Sequence, residues 1–149
     1  MKLSEILFEG DMSSVVLYHG TLRSNLEDIL SNGLSVHEGW GGAGTSGVYL
    51  TKSIDGALYW AKLAYMRELE EDLEAHKFDR KYGKKINDLL VVLKVTIPAD
   101  KVDNLRADME QAEDYGFEGD PEDWRESLDV IGDVMYSGVV PSEWIQVVS

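Results

Sequence analysis

The 149-residue chain contains no cysteine. Disulfides, thiolate zinc sites, iron–sulfur clusters and cysteine nucleophiles are therefore excluded. Histidine is almost as scarce. His19, His37 and His76 fall in unrelated stretches, and none is spaced from another as paired metal ligands are, so no metal is expected. Basic residues are in deficit, 14 against 28 acidic ones, for a formal charge of −14. Such a field repels phosphate backbones and anionic membranes and disfavours general nucleic-acid affinity. No apolar run approaches the roughly 18 residues of a membrane span. Glu5 also interrupts the opening MKLSEILFEG where a signal core would lie, so the expectation is a cytoplasmic protein with no membrane partner. Set against these absences is an ordinary globular balance, 44% hydrophobic and 28% charged. A chain of this size buries about two-thirds of its unfolded surface unaided, which predicts a single domain over residues 1–149.

Along the chain, Leu3, Ile6, Leu7 and Phe8 share helical spacing and suggest a short N-terminal helix or tail over residues 1–12. Val15, Val16, Leu17 and Tyr18 form a β-branched and aromatic run, predicting a strand that delivers His19-Gly20-Thr21 at its end. Ser24 or Asn25 is then placed to cap a helix with Leu26, Ile29 and Leu30 on one face, stopped at Asn32-Gly33. Residues 38–47, EGWGGAGTSG, read as a mobile glycine loop leading into the strand-like Val48-Tyr49-Leu50-Thr51. A long helix is predicted over residues 55–76, its apolar face made by Leu58, Ala61, Tyr65, Leu69 and Leu73. Five of the basic residues cluster in KFDRKYGKK, residues 77–85, a local basic island. LLVVLKVTI, residues 89–97, is the most apolar run and reads as a central strand ended by Pro98. Residues 108–129 carry ten acids and one base, predicting loop with one or two helical turns. The ending reads as two strands, VMYSGVV and WIQVV, parted by Pro141-Ser142-Glu143.

Several catalytic patterns fail on context. Gly42-Ala43-Gly44-Thr45-Ser46-Gly47 matches the dinucleotide fingerprint G-x-G-x-x-G, but that motif must follow a strand and open a helix, whereas this one runs into a strand. No Lys-Ser or Lys-Thr pair closes the glycine run, which excludes a phosphate-binding loop of the Walker type. Nothing resembles a nucleophile elbow. What stands is an ordered set: Tyr18-His19-Gly20-Thr21, then Gly47-Val48-Tyr49-Leu50-Thr51, then Ala57 with Tyr59-Trp60, then a late strand from Asp133.

This set resembles the ADP-ribosyltransferase superfamily in its diphtheria-toxin and poly(ADP-ribose) polymerase branch, of the H-Y-E type. There Y-H-G-T, G-x-Y-x-T/S and a late acidic residue form the site. The resemblance spans residues 16–148. Small phage and bacterial members are also similar in the ending, Ser127-Leu128 and then Tyr136-Ser137-Gly138-Val139-Val140-Pro141-Ser142-Glu143-Trp144-Ile145. It implies an α+β domain of two packed, mostly antiparallel sheets forming a cleft that binds NAD as substrate. It further implies transfer of ADP-ribose to a macromolecular acceptor, a host protein or a nucleic acid, with release of nicotinamide.

Each matched position has a chemical reason. His19 can hydrogen-bond a ribose hydroxyl, Gly20 lets the backbone pair with a planar carboxamide, and Thr21 supports the ribose contacts. Tyr49 with Tyr59 or Trp60 offers two aromatic faces for a nicotinamide ring, worth on the order of 1 kcal/mol per face. Family spacing favours Trp60, and the chemistry accepts either. Breaking the glycosidic bond builds positive charge on the ribose, which a nearby carboxylate stabilises. The family supplies glutamate there, whereas the matching position in this chain is Asp133, one methylene shorter; Glu126 and Glu143 rank behind it. The resemblance thus assigns His19, Tyr49 and Asp133 to catalysis and His19, Gly20, Thr21, Tyr49, Tyr59 and Trp60 to NAD.

The shortened carboxylate motivates a rival, a non-catalytic reader of NAD or ADP-ribose. The charge of −14 motivates another, an acidic DNA mimic that occupies a nucleic-acid-binding protein. An RNA 2′-phosphotransferase of the same superfamily ranks last, because only Arg23 lies near the motifs.

Overall fold

The apolar runs at residues 14–22 and 90–98 lie side by side in the computed structural model, which describes residues 14–35, 47–71, 88–109 and 111–148. Strand β1, Ser14–Leu22, pairs antiparallel with β3, Leu90–Pro98, over its whole length, from Ser14 opposite Pro98 to Leu22 opposite Leu90. Strand β2, Gly47–Thr51, pairs with β5, Asp133–Ser137, and β5 pairs in turn with the short β4, Leu105–Ala107. A last strand, β6, Ile145–Val147, lies outside β3. The result is one six-stranded antiparallel sheet in the order β4-β5-β2-β1-β3-β6, with helices packed on it, an α+β domain.

This corrects the expectation of two packed sheets. β1 and β2 are joined, but only through the single registered pair Tyr18 with Thr51. Nine pairs join β1 to β3 and five join β2 to β5, so the sheet is well laced on each side of β1/β2 and barely laced there. β3 is therefore interior but not central, with β6 beyond it. His19, Gly20 and Thr21 sit within β1 rather than at its end, because Leu93, Val92 and Val91 of β3 pair with them and Leu90 pairs with Leu22 beyond.

Between β1 and β2, residues Arg23–Asn25 make a 3-10 turn into helix α1, Leu26–Asn32. Asn25 stands at the N-cap position but makes no side-chain cap bond. Its Nδ2 instead donates to Thr21 Oγ1 at 3.3 Å. Of the predicted apolar face Ile29 is buried and Leu26 packs at the core margin, while Leu30 is exposed. Gly33, with φ +83°, ends the helix as Asn32-Gly33 predicted.

Helix α2, Ile54–Glu71, lies on the sheet face that carries Gly20 and Leu22. Among its described side chains Ala57, Ala61 and Tyr65 are buried, so Ala61 and Tyr65 of the predicted face meet the sheet while the small Ala57, and not Leu58, joins them. That smallness allows the helix to touch β1. A Cβ on Gly20 would stand 1.8 Å from the Ala57 carbonyl oxygen and 3.0 Å from Ala61 Cβ.

The main core fills the other face, with Leu17, Val48, Leu50, Leu93, Val95, Ile97, Val134 and Tyr136 among its buried members. The acidic stretch resolves into helices α3, Ala112–Tyr115, and α4, Trp124–Val130, and the end of the chain into β5 and β6, as the two-strand reading expected. β4 carried no sequence signal, being only three residues long. The predicted N-terminal helix, most of the glycine loop and the basic island lie outside the described residues. Among the described residues, no helix is long and apolar enough to cross a membrane.

Candidate functional site

Cross-strand partners of an antiparallel sheet point to the same face. Tyr18 opposite Thr51 and Thr51 opposite Asp133 therefore form one row across β1, β2 and β5, on the side where α2 packs. Asp133 opens β5 and is only 7% exposed. From α2, Trp60 Nε1–H donates to Asp133 Oδ1 at 3.3 Å. From β2, the Thr51 hydroxyl lies 2.9 Å from the Gly132 carbonyl oxygen and also within hydrogen-bond reach of the Asp133 carboxyl.

Burial pushes the Asp133 carboxyl above the ordinary carboxylate range, because a charge withdrawn from water is disfavoured. Three groups pull it back more weakly: the hydrogen bonds from Thr51 and Trp60, then the positive charge of Lys52. The net direction is upward. Asp133 is thus a carboxyl whose pKa is raised by its own surroundings, the situation in which acid–base and electrostatic catalysts are commonly found.

His19 is half-buried at the point where β1 and β2 stop pairing. Its Nδ1 lies 2.8 Å from the Tyr49 carbonyl oxygen. A carbonyl only accepts, so Nδ1 carries the hydrogen. The ring bridges two strands whose backbones have parted. Tyr49 itself is half-buried and opposite Met135, two residues along β2 from Thr51 and on the same face.

Of the two aromatic candidates on α2, Trp60 is half-buried and turned to Asp133, whereas Tyr59 is 57% exposed and meets Trp60 edge-on, with centroids 5.4 Å apart. Thr21 accepts from Asn25 and is held by that bond. Gly20 is covered on one side by α2, so its lack of a side chain is demanded by packing. The substitutes for Asp133 lie elsewhere. Glu126 is exposed on α4, and Glu143 is exposed ahead of β6, on the far side of β1 and β3 from β2.

Sequence reading missed three residues that shape the site. Lys52 reaches Gly132, and its charge acts on Asp133. Thr51 was noted only as a motif position, and Ser127 only as part of a similar ending. Their spacing from Asp133 in the chain holds no hint of contact.

The Trp60 bond carries a prediction. Trp60→Phe keeps an aromatic ring and removes the indole donor, so Asp133 loses one of the groups that favour its ionised form and its pKa rises further. The acid limb of any Asp133-dependent activity should move to higher pH, as read from a pH–rate profile. An unmoved limb would mean that the indole contact is without consequence.

Among the described residues no group of three or more His, Asp or Glu is placed to hold a metal ion. No protein-family model matches the chain, and no curated protein matches it.

Proposed function

We propose that the chain is an NAD-dependent ADP-ribosyltransferase, with His19 and Tyr49 holding the nicotinamide riboside half of NAD and Asp133 facing the ribose. The observation that carries this reading is the convergence of the motif residues. His19 of β1 bonds the Tyr49 carbonyl of β2, Trp60 of α2 bonds Asp133 of β5, and β2 pairs with both β1 and β5, so residues far apart in the chain fall on adjoining strands at one poorly laced junction. The resemblance seen in the sequence supports the same roles.

In this reaction the bond between the ribose C1′ and the pyridinium nitrogen breaks. Its electron pair leaves with nicotinamide, which becomes neutral. The acceptor nucleophile forms the new bond to C1′ and gives up its proton to solvent. Ionised Asp133 stabilises the positive charge that develops on the ribose. His19, its ring held by the bond to the Tyr49 carbonyl, contacts a ribose hydroxyl. Tyr49 supplies one face for the nicotinamide ring, and Trp60 lines the site while orienting Asp133.

The residues fit this substrate in two respects. A buried carboxylate is retained where a cation forms, and Lys52 places a positive charge beside the site in a chain of strongly negative total, which favours a dianionic pyrophosphate. The test is nicotinamide release from NAD by the purified protein. His19→Ala is expected to raise the NAD concentration needed for half-maximal rate about tenfold, the worth of one hydrogen bond to a bound ligand. An unchanged value would remove His19 from the site.

One observation favours a second reading, a non-catalytic reader of NAD or ADP-ribose. The same burial that places Asp133 at the site raises its pKa, and a neutral acid stabilises a cation poorly. NAD binding that His19→Ala abolishes, with no nicotinamide release from the unaltered protein, would establish the reader.

A further inference from the structure

Ser127, on α4, is fully buried, at 0% exposure. Its Oγ–H donates to the Asp133 carbonyl oxygen at 2.7 Å, and the same Oγ accepts from the Asp108 N–H at 3.1 Å. Its own carbonyl accepts from the N–H of Ile131 at 2.8 Å and of Gly132 at 3.0 Å. From the opposite side, Lys52 N–H at 3.0 Å and the Thr51 hydroxyl at 2.9 Å both reach the Gly132 carbonyl oxygen. The Gly132–Asp133 segment, with Gly132 at φ +97°, is thus gripped between β2 and α4. Thr51, Asp108, Ser127 and Asp133 are the buried polar or charged residues among those described, and every one belongs to this network. Buried polar groups are costly unless hydrogen-bonded, so their concentration behind one carboxylate calls for a reason.

We propose that Ser127 is a positioning residue for Asp133: its buried hydroxyl holds the Asp133 carbonyl and so sets where the carboxylate stands beside Trp60. The proposal rests on the reading of Asp133 as the carboxylate facing the ribose. The carboxylate is short, with one rotatable bond fewer than glutamate, so its place is determined mainly by its backbone. A backbone displaced by about 1 Å is enough to cost a hundredfold in rate. Ser127→Ala leaves two buried backbone groups, the Asp133 carbonyl and the Asp108 N–H, without the hydroxyl, and water is the remaining partner for both. Water entering there solvates the carboxylate and loosens it from Trp60. The groups facing that carboxylate are Thr51 and Lys52 from β2 and Trp60 from α2, and Ser127 touches none of their side chains in the bonds described.

The test compares the unaltered protein with Ser127→Ala and Ser127→Cys, the latter keeping the volume with a weak donor. Two readouts are taken after thermal melts establish folding. The first is an NMR titration of the Asp133 side-chain carboxyl together with the Trp60 indole N–H, which needs no activity. The expected result in Ser127→Ala is a midpoint shifted down toward the ordinary carboxylate range and an indole signal that no longer follows Asp133. Ser127→Cys should lie between. The second is nicotinamide release, where kcat should fall by about tenfold to a hundredfold with KM nearly unchanged. A folded Ser127→Ala with the original midpoint and indole response overturns the proposal, as does failure of both variants to fold, which would make Ser127 a folding residue. If the unaltered protein releases no nicotinamide, the enzymatic reading falls, and the titration still decides whether Ser127 positions Asp133.

Discussion

Asp133→Asn is expected to cut nicotinamide release by a factor on the order of 10²–10³, the usual cost of losing one group aimed at developing charge, while raising the melting temperature at neutral pH. The two effects share a cause. Asp133 is buried at the start of β5, and burial outweighs the help it receives from Thr51, Trp60 and Lys52, so its pKa lies higher in the folded than in the unfolded chain. A carboxyl with a raised folded pKa contributes stability that is fully present below its unfolded pKa and is lost as pH rises through the folded one. At neutral pH the ionised group is therefore a net cost. Asparagine removes the charge and keeps an oxygen for the Trp60 indole. The gain in melting temperature should be a few degrees, since a chain of this length moves by about 2–4 °C per kcal/mol. It should shrink as pH falls below the ordinary carboxylate range, where both versions are neutral. Lost activity together with gained stability would mark Asp133 as a group kept for function at the expense of the fold. Unchanged release would remove it from the reaction, and an unchanged melt would remove the burial argument.

Gly20→Ala should have the largest effect on stability. The new methyl would stand 1.8 Å from a backbone carbonyl of α2 and 3.0 Å from Ala61 Cβ. No flexible side chain is there to move aside, so either α2 lifts from the sheet or β1 shifts against β3. Overpacking against backbone is expected to cost about 3 kcal/mol or more, a fall of roughly 10 °C in melting temperature for a chain this long. Ala57 and Ala61 flank Trp60 in α2, so lifting the helix also draws the indole from Asp133. The Trp60 indole N–H should lose its pH response in any fraction that remains folded. A melt within a degree or two of the original would show that α2 is free to yield at this contact.

Much of this was written in the chain. The β-branched run before His19, the apolar block at residues 89–97 and the alternation near the C-terminus are local patterns, and local patterns are what periodicity reports. The motif order placed His19, Tyr49, Trp60 and Asp133 on four separate elements before any were seen together. Helix α2 starts where predicted and buries Ala61 and Tyr65 of the predicted face, but hydrophobicity pointed to Leu58 where contact with Gly20 selected Ala57, and residues 72–76 of the predicted helix lie outside the described residues. Close approach is decided by the partner strand, and no spacing within the helix encodes it. β4 escaped notice because three residues carry no period.

By itself, then, the sequence determined the α+β class, the identity of the strands and helices that bear the candidate residues, and the exclusion of cysteine-based chemistry. Only the tertiary structure decided that the strands join in one sheet, laced by a single pair between β1 and β2. It also decided that His19 bridges that junction to the Tyr49 carbonyl, and that Ser127, Thr51 and Trp60 close around Asp133. Apart from Ser127 with Asp133, six positions apart, these are pairings across 30 to 81 positions of chain, His19 with Tyr49 at one extreme and Thr51 with Gly132 at the other. Their partners are chosen by the register of antiparallel strands, which no stretch of neighbouring residues contains.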